Sequence, residues 1–128
     1  FCLQGVWLCG ICCCPPNNEI HQTALGAEQT VDWRYFEHTL DAVRTLQEDG
    51  YTVYAIEQAH GSTLLHNMQL PKNQKTAIIM GHEVFGVQQE VVDAANGCIE
   101  IPQYGTKHSL NVSVTAGIVM YELSNMLR

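Results

Sequence analysis

The sequence predicts an α/β domain with a mainly parallel β-sheet flanked by helices, and three observations support this fold class. Apolar, β-branched segments alternate along the chain with segments of helical periodicity. The connections between them are short, as in parallel sheets whose strands are joined through helices. Hydrophobic residues make up 46% of the 128 residues, which is enough for one packed core. We therefore expect a single domain over residues 1–128.

Strands are predicted where short apolar or β-branched segments lie between polar or glycine-containing ones. Residues 6–11 form an apolar run that ends before Pro15-Pro16, which is typical of a strand buried on both faces. Residues 51–56 are rich in β-branched and aromatic residues and follow a predicted helix after Gly50 alone. The further predicted extended segments are 31–36, 76–80 and 98–101.

Helices are predicted where apolar residues recur every three to four positions. Residues 37–50 show this spacing and end at a glycine. The polar connection over residues 58–74 is expected to contain one helical turn near 63–66. The other predicted helices are 19–27, 88–95 and 111–127. The apolar candidates of the last helix are Val114, Ile118, Tyr121 and Leu123.

The charge balance argues against a uniformly basic nucleic-acid-binding domain. Six Lys and Arg residues stand against 13 Asp and Glu residues, so that the formal net charge is −7. Any polyanionic partner must therefore be met by a local cluster of cations or by a basic N-terminal extension. The candidate cations are Arg34, Arg44, Lys72, Lys75 and Lys107.

The uncharged N-terminal run is not predicted to cross a membrane. Its apolar part, Val6 to Cys14, is interrupted by Gly10 and is much shorter than the roughly 20 residues that a spanning helix needs. We therefore expect no membrane partner.

The clustered cysteines allow two interpretations. Cys9-x-x-Cys12 has the spacing of half a zinc site or of a redox pair, but no second pair follows at a suitable distance. The favoured interpretation is a buried strand whose thiols pack as small apolar groups in a reducing compartment. No metal site is predicted.

Two segments at the expected carboxyl ends of strands combine glycines with polar side chains. Gly81 and Gly86 enclose a tight turn in which the backbone could approach a ligand closely. Glu83 within it is either a helix-start carboxylate or a polar anchor in a pocket. The second segment, residues 101–111, is a polar loop that opens a helix. Neither segment is a dinucleotide fingerprint or a P-loop, because the required glycine and lysine spacing is absent.

These two segments together resemble a known family. Gly81-His-Glu-x-x-Gly86, followed about twenty residues later by Ile101-Pro-x-x-Gly105-x-x-x-Ser109-Leu-Asn-Val-Ser-Val, is similar to motifs 2 and 3 of the SpoU (TrmH-type) RNA ribose methyltransferases of the SPOUT superfamily. The resemblance extends over Phe1 to Arg128. It implies a trefoil-knotted α/β fold whose knot binds S-adenosyl-L-methionine, and a cytoplasmic homodimer with the terminal helix in its interface.

The resemblance also implies roles for individual residues. The catalytic or orienting residues would be Glu83, Ser109 and Asn111. The cofactor contacts would be Ile56, Glu57, Gly81, Glu83, Ile101, Gln103, Ser109 and Leu110. The family's motif 1, with its arginine, would lie upstream of Phe1, and His82 stands where the family usually has asparagine.

The function that follows from the resemblance is methyl transfer to a ribose 2′-hydroxyl of tRNA or rRNA, with no role for DNA. Alignment of the nucleophile and removal of its proton would be the main tasks of the protein. One alternative is a knotted RNA-binding or cofactor-binding module without catalysis. Another is a different α/β enzyme that uses a nicotinamide or flavin.

Overall fold

The computed structural model describes Cys2–Leu3, Val6–Gly10 and residues 36–81, 86–102 and 111–128. Within these residues lie one β-sheet and three α-helices. The strands are β1 (Cys2–Leu3), β2 (Val6–Gly10), β3 (Thr52–Ile56), β4 (Thr63–Leu64), β5 (Thr76–Met80) and β6 (Gly97–Glu100). The helices are α1 (Thr39–Glu48), α2 (Gln89–Ala94) and α3 (Val112–Leu127), and a short 3₁₀ turn spans Leu65–Asn67.

The described strands form one sheet in the order β1-β2-β5-β3-β6-β4. Only the β1–β2 pair is antiparallel, whereas the other four pairs are parallel. Thr76 of β5 lies opposite Val6 of β2 on one side and opposite Thr52 of β3 on the other. The carboxyl ends of β2, β5, β3 and β6 therefore meet at one edge of the sheet. The predicted α/β class with a mainly parallel sheet is confirmed.

The central strand β5 is buried throughout, because helices cover both faces of the sheet. On one face, Ile78 and Met80 of β5 pack with Ile99 and with residues of α3, among them Val119 and Leu123. On the other face, Val43 of α1, Val91 of α2 and Val87 pack with alternate residues of β3 and β5, which are Val53, Ala55, Ala77 and Ile79. The period of two along each strand explains this division, since successive side chains point to opposite faces.

Most predicted elements in the described part of the chain are confirmed. The helix predicted over 37–50 is α1, that over 88–95 is α2, and that over 111–127 is α3. The strands predicted over 51–56, 76–80 and 98–101 are β3, β5 and β6, each within about one residue. The predicted helix over 19–27, most of the segment 31–36, and Cys12 lie outside the described residues.

Two short strands were not predicted from the sequence. Residues 63–66 were expected to form a helical turn, but Thr63–Leu64 instead adds the parallel edge strand β4 beside β6, and the turn follows at Leu65–Asn67. β1 adds an antiparallel edge beside β2. None of the described helices is both long and apolar enough to cross a membrane.

Candidate functional site

The candidate site lies at the edge of the sheet where neighbouring parallel strands end. Ile56, the last residue of β3, pairs with Met80 of β5 and with Ile99 of β6. Glu57 follows β3, Gly81 follows β5, and Ile101 comes shortly after Ile99. The register therefore brings together four of the predicted site residues, Ile56, Glu57, Gly81 and Ile101. Ligands of parallel α/β sheets bind at this kind of edge.

Ile56 and Ile101 form an apolar part of the site. Both side chains are partly buried and pack against the core cluster that includes α3. Because they end neighbouring strands and keep part of their surface exposed, they offer apolar contacts to a ligand at the edge.

The carboxylate of Glu57 is directed toward the other face of the sheet. Its Oε2 accepts a hydrogen bond of 2.8 Å from the backbone N–H of Val87, which belongs to the core under α1 and α2. Its Oε1 accepts a bond of 3.1 Å from the N–H of Gln58, and the Glu57 N–H donates to the carbonyl of Ile99 at 3.1 Å. Glu57 thus links the ends of β3 and β6 to the chain that follows β5.

Gly81 and Gly86 bring two stretches of backbone into direct contact. A Cβ atom on Gly81 would lie 2.5 Å from the carbonyl carbon of Gly86 and 2.6 Å from the nitrogen of Val87, so no larger residue fits there. Gly86 has a φ of +66°, and a Cβ on it would collide with Oε2 of Glu57. We call Gly81, Gly86 and Val87 the loop neck, because they are the two ends of the segment that carries residues 82–85.

This contact is a role of the glycines that the sequence did not predict. That they let the backbone approach a ligand stays a prediction. In the described residues the close neighbours of Gly81 are backbone atoms of Gly86 and Val87. The glycines therefore allow the chain to close on itself at the neck.

Cys98 lies near Glu57 and packs against the core on the same face. Burial raises the pKa of the Cys98 thiol above its ordinary value, and the negative charge of Glu57 raises it further. The thiol is accordingly protonated near neutral pH and is a poor nucleophile. Within the part of the chain that the structure describes, no three His, Cys, Asp or Glu side chains are grouped to hold a metal ion.

Asn111 is the N-cap of α3. Its side-chain oxygen accepts a hydrogen bond of 2.8 Å from the N–H of Ser113, which fixes the orientation of the amide. The NH₂ group is then the part of the side chain that faces away from this bond, and it can only donate hydrogen bonds. Asn111 can therefore orient or stabilise an oxygen atom but cannot remove a proton.

The remaining predicted site residues, Glu83, Gln103, Ser109 and Leu110, lie outside the described residues, as does His82. Sequence reasoning missed the N–H of Val87 and the thiol of Cys98, both of which contact or approach Glu57. No pattern in the sequence marks them, because Val87 is 30 residues from Glu57 and contributes only its backbone.

The described lysines lie at the opposite edge of the sheet from this site. Lys75 immediately precedes β5, its ammonium group donates to the carbonyl of Asp49 at 3.3 Å, and it lies 5.6 Å from the centre of the Tyr51 ring. The five residues of β5 lie between Lys75 and Gly81, which places the two about 20 Å apart along the strand. Lys72 and Lys75 thus do not line the carboxyl edge, and Arg34 and Lys107 lie outside the described residues.

The fold is that of an α/β protein with a mainly parallel sheet, and the candidate site lies at the edge where such proteins bind their ligands. The model of the SpoU rRNA Methylase family matches residues 1–121, and the chain therefore belongs to this family. It is 36% identical over 104 residues to a tRNA (guanosine(18)-2′-O)-methyltransferase of Borreliella burgdorferi, which corresponds to 81% of this chain and 47% of the relative.

Solved structures share the fold. A TrmH/SpoU tRNA modifying enzyme of A. aeolicus aligns with a TM-score of 0.71 and 28% identity, over 86% of this chain and 53% of that chain. An AdoMet-bound rRNA methyltransferase of Sinorhizobium meliloti aligns with a TM-score of 0.62 and 30% identity, over 69% of this chain and 33% of that chain. The chain spans about half the length of the curated relatives it matches first.

Proposed function

We propose that the protein transfers a methyl group from S-adenosyl-L-methionine to a ribose 2′-hydroxyl of tRNA or rRNA, and that it acts as a cytoplasmic homodimer. Residues 1–128 would serve as one catalytic domain of this protein. One observation supports this function most directly in a member of the SpoU family. β5 and β6 lie on either side of β3 in the sheet, and motifs 2 and 3 begin directly after β5 and β6. The relatives include a tRNA (guanosine(18)-2′-O)-methyltransferase of Borreliella burgdorferi and a 23S rRNA (guanosine-2′-O-)-methyltransferase of Neisseria meningitidis.

The described residues fit a nucleoside-containing methyl donor. Ile56 and Ile101 provide partly exposed apolar surface at the strand ends, which suits a purine ring. The backbone at the ends of β3, β5 and β6 supplies polar groups beside this apolar surface. The carboxylate of Glu57 already accepts hydrogen bonds from the backbone N–H groups of Val87 and Gln58. The proposed cofactor contacts are Ile56, Glu57, Gly81, Glu83, Ile101, Gln103, Ser109 and Leu110.

The chemistry requires alignment more than activation. S-adenosylmethionine, when bound, supplies a methyl group that the sulfonium cation already activates toward nucleophilic attack. The protein must place the 2′-hydroxyl in line and accept its proton. Among the proposed catalytic residues, Glu83, Ser109 and Asn111, the amide of Asn111 is suited to donate a hydrogen bond to a reacting oxygen, since its own oxygen is held by Ser113.

An exposed apolar stripe on α3 supports the proposed homodimer. Val114, Ile118 and Tyr121 are 52%, 39% and 62% exposed and lie at i, i+4 and i+7, so that they share one side of the helix. The opposite side of α3, including Val119 and Leu123, is buried in the core. A second copy of the chain would cover a stripe of this kind.

The proposed function is tested with the full-length protein in two steps. Isothermal titration with S-adenosylhomocysteine should show binding, and a tritiated methyl donor should label bulk tRNA or rRNA. Labelled RNA is then digested with alkali, because a 2′-O-methyl group protects the adjoining phosphodiester and leaves a labelled dinucleotide. Label in mononucleotides would instead indicate methylation of a base.

Two outcomes would contradict the proposal. Binding of S-adenosylhomocysteine without transfer to any RNA would favour the knotted binding module. Absence of binding together with a nicotinamide or flavin spectrum in the purified protein would favour a different α/β enzyme.

A further inference from the structure

We propose that Glu57 is a positioning residue, whose carboxylate holds the loop neck against the end of β3 so that the methyl-donor site at this edge is preformed. The inference rests on the proposed function, because it assigns the neck to that site. It adds a role for this side chain that differs from direct contact with the cofactor.

The first argument is the geometry of the hydrogen bonds. The carboxylate accepts the N–H of Val87 at 2.8 Å, the distance expected when the acceptor is charged, and the N–H of Gln58 at 3.1 Å. Both acceptor oxygens therefore bind backbone groups of the protein. One of these groups belongs to the strand end and the other to the loop neck, so the side chain joins two parts of the site that are 30 residues apart.

The second argument is the shape of the neck. Gly81 lies against Gly86 and Val87 with no room for a Cβ atom, and Gly86 leaves just enough room for the carboxylate of Glu57. Three groups thus pack around one point: the backbone after β5, the backbone before α2, and the Glu57 side chain. Without the carboxylate, the neck would lose the acceptor for the N–H of Val87, which lies in a buried residue.

The third argument is what the neck connects. Gly81 directly follows β5, and the neck lies at the same edge of the sheet as Ile56 and Ile101. A movement of the neck would therefore displace Gly81 at the edge where the ligand is proposed to bind. If a smaller fraction of molecules is in the competent arrangement, the apparent dissociation constant rises in proportion.

Three substitutions separate position from charge. Glu57→Ala removes the acceptor, whereas Glu57→Asp keeps the charge but is one methylene too short to reach Val87. Glu57→Gln removes the charge but keeps a side-chain oxygen that can accept from the Val87 N–H. Glu100→Gln is the matched control, because this carboxylate lies at the end of β6 and accepts from the Ser62 hydroxyl at 2.9 Å without contact to the neck.

We expect the variants to divide by geometry. Isothermal titration on the full-length protein measures the dissociation constant of S-adenosylhomocysteine. This constant should rise about tenfold or more in Glu57→Ala and Glu57→Asp, because the loss of one hydrogen bond to a charged acceptor can have an effect of this size. It should stay within about threefold of the parent in Glu57→Gln and Glu100→Gln. Hydrogen exchange at the Val87 amide should accelerate only in the first two variants. The KM for RNA should not change.

The results that would overturn the inference are distinct from those that would overturn the function. If Glu57→Asp binds normally and Glu57→Gln does not, the charge rather than the anchor is what matters. If exchange at Val87 accelerates while binding is unchanged in Glu57→Ala, the anchor is structural only. If the parent protein does not bind S-adenosylhomocysteine at all, the proposed function fails and the positioning role fails with it. Thermal melts confirm that each variant is folded.

Discussion

At the scale of single residues, Glu57 influences two different neighbours in two different ways. It accepts a hydrogen bond from Val87 and thereby fixes a backbone position. It also raises the pKa of the Cys98 thiol, although burial is the larger cause of that shift. The geometric effect requires contact, whereas the electrostatic effect acts over a distance and requires that the side chain be charged.

The pKa of Cys98 provides a direct test of this electrostatic effect. Ultraviolet titration of the thiolate, taken as the difference between the parent and Cys98→Ser, should give a pKa above the ordinary value. In Glu57→Gln the pKa should fall but stay raised, because the burial of the thiol persists. An unchanged pKa in Glu57→Gln would contradict the coupling.

The raised pKa of Cys98 also makes the free energy of unfolding depend on pH. A thiol whose pKa is raised in the folded state retains its proton better when folded than when unfolded. Its stabilising contribution is therefore present at neutral pH and is lost as the pH rises through the pKa of the folded state.

The residues of the site were only partly predictable. Glu57 was selected through its position at the end of a predicted strand and through the family resemblance. Its bonding to Val87 could not be derived, because a backbone N–H has no sequence signature and the contact joins separate elements. The catalytic role of Asn111 rests on the same resemblance and stays a prediction, whereas the structure shows that Asn111 is the N-cap of α3.

At the scale of elements, predictability follows the length of the element and the strength of its pattern. α1 has regular apolar spacing and ends at Glu48, shortly before Gly50, whose φ of +90° suits glycine. β5 is apolar after Thr76 and lies inside the sheet, where all five of its residues are buried. β1 and β4 contain two residues each, which is too few for any periodicity, and they exist only because a neighbouring strand is available for pairing.

The loop neck leads to a prediction that compares two glycines. Gly86 and Gly61 both have positive φ values, +66° and +82°, but a Cβ on Gly61 would meet no atom within 4 Å. Gly61→Ala should therefore destabilise the protein by about 1–2 kcal/mol, the cost of a left-handed backbone alone. Gly86→Ala should cost about 1–3 kcal/mol more, because the methyl group displaces the Glu57 carboxylate and leaves the Val87 N–H without its acceptor.

Urea denaturation of both variants measures the difference. The two substitutions should lower the free energy of unfolding equally in a Glu57→Ala background. There the carboxylate that would collide with the new methyl group is absent, and so is its hydrogen bond with Val87. Equal free energies of unfolding for Gly61→Ala and Gly86→Ala in the parent background would show that Glu57 does not occupy the neck in solution.

At the scale of the whole molecule, the sheet separates two regions of different chemistry. The carboxyl edge carries the strand ends of the candidate site, whereas the described lysines Lys72 and Lys75 precede β5 at the other edge. The net charge of −7 predicted that an RNA partner needs a local group of cations. In the described residues such a group is not found beside Ile56, Gly81 and Ile101. The sequence alone shows that the negative net charge opposes RNA binding. The distance between the lysines and the site, however, follows from the direction of β5 in the fold.

The proposed homodimer also belongs to this scale, because it depends on a surface that the folded chain leaves uncovered. Burying large apolar side chains contributes about 1.5–3 kcal/mol each, and the same three side chains would be buried on both copies. Ile118→Glu would place a carboxylate at the centre of the stripe and, in a symmetric interface, would bring two like charges close together. We therefore expect the dimer dissociation constant to rise about 100-fold or more.

Light scattering coupled to size-exclusion chromatography distinguishes the two states. The parent should elute with the mass of two copies and Ile118→Glu with the mass of one, at the same concentration. His38→Glu is the control, because it also adds a carboxylate at an exposed position. His38 lies at the start of α1, on the face of the sheet opposite α3, and its side chain makes no capping hydrogen bond that the substitution would remove. It should elute as the parent does. A monomeric parent, or an Ile118→Glu protein that stays dimeric, would show that the stripe on α3 is not the interface.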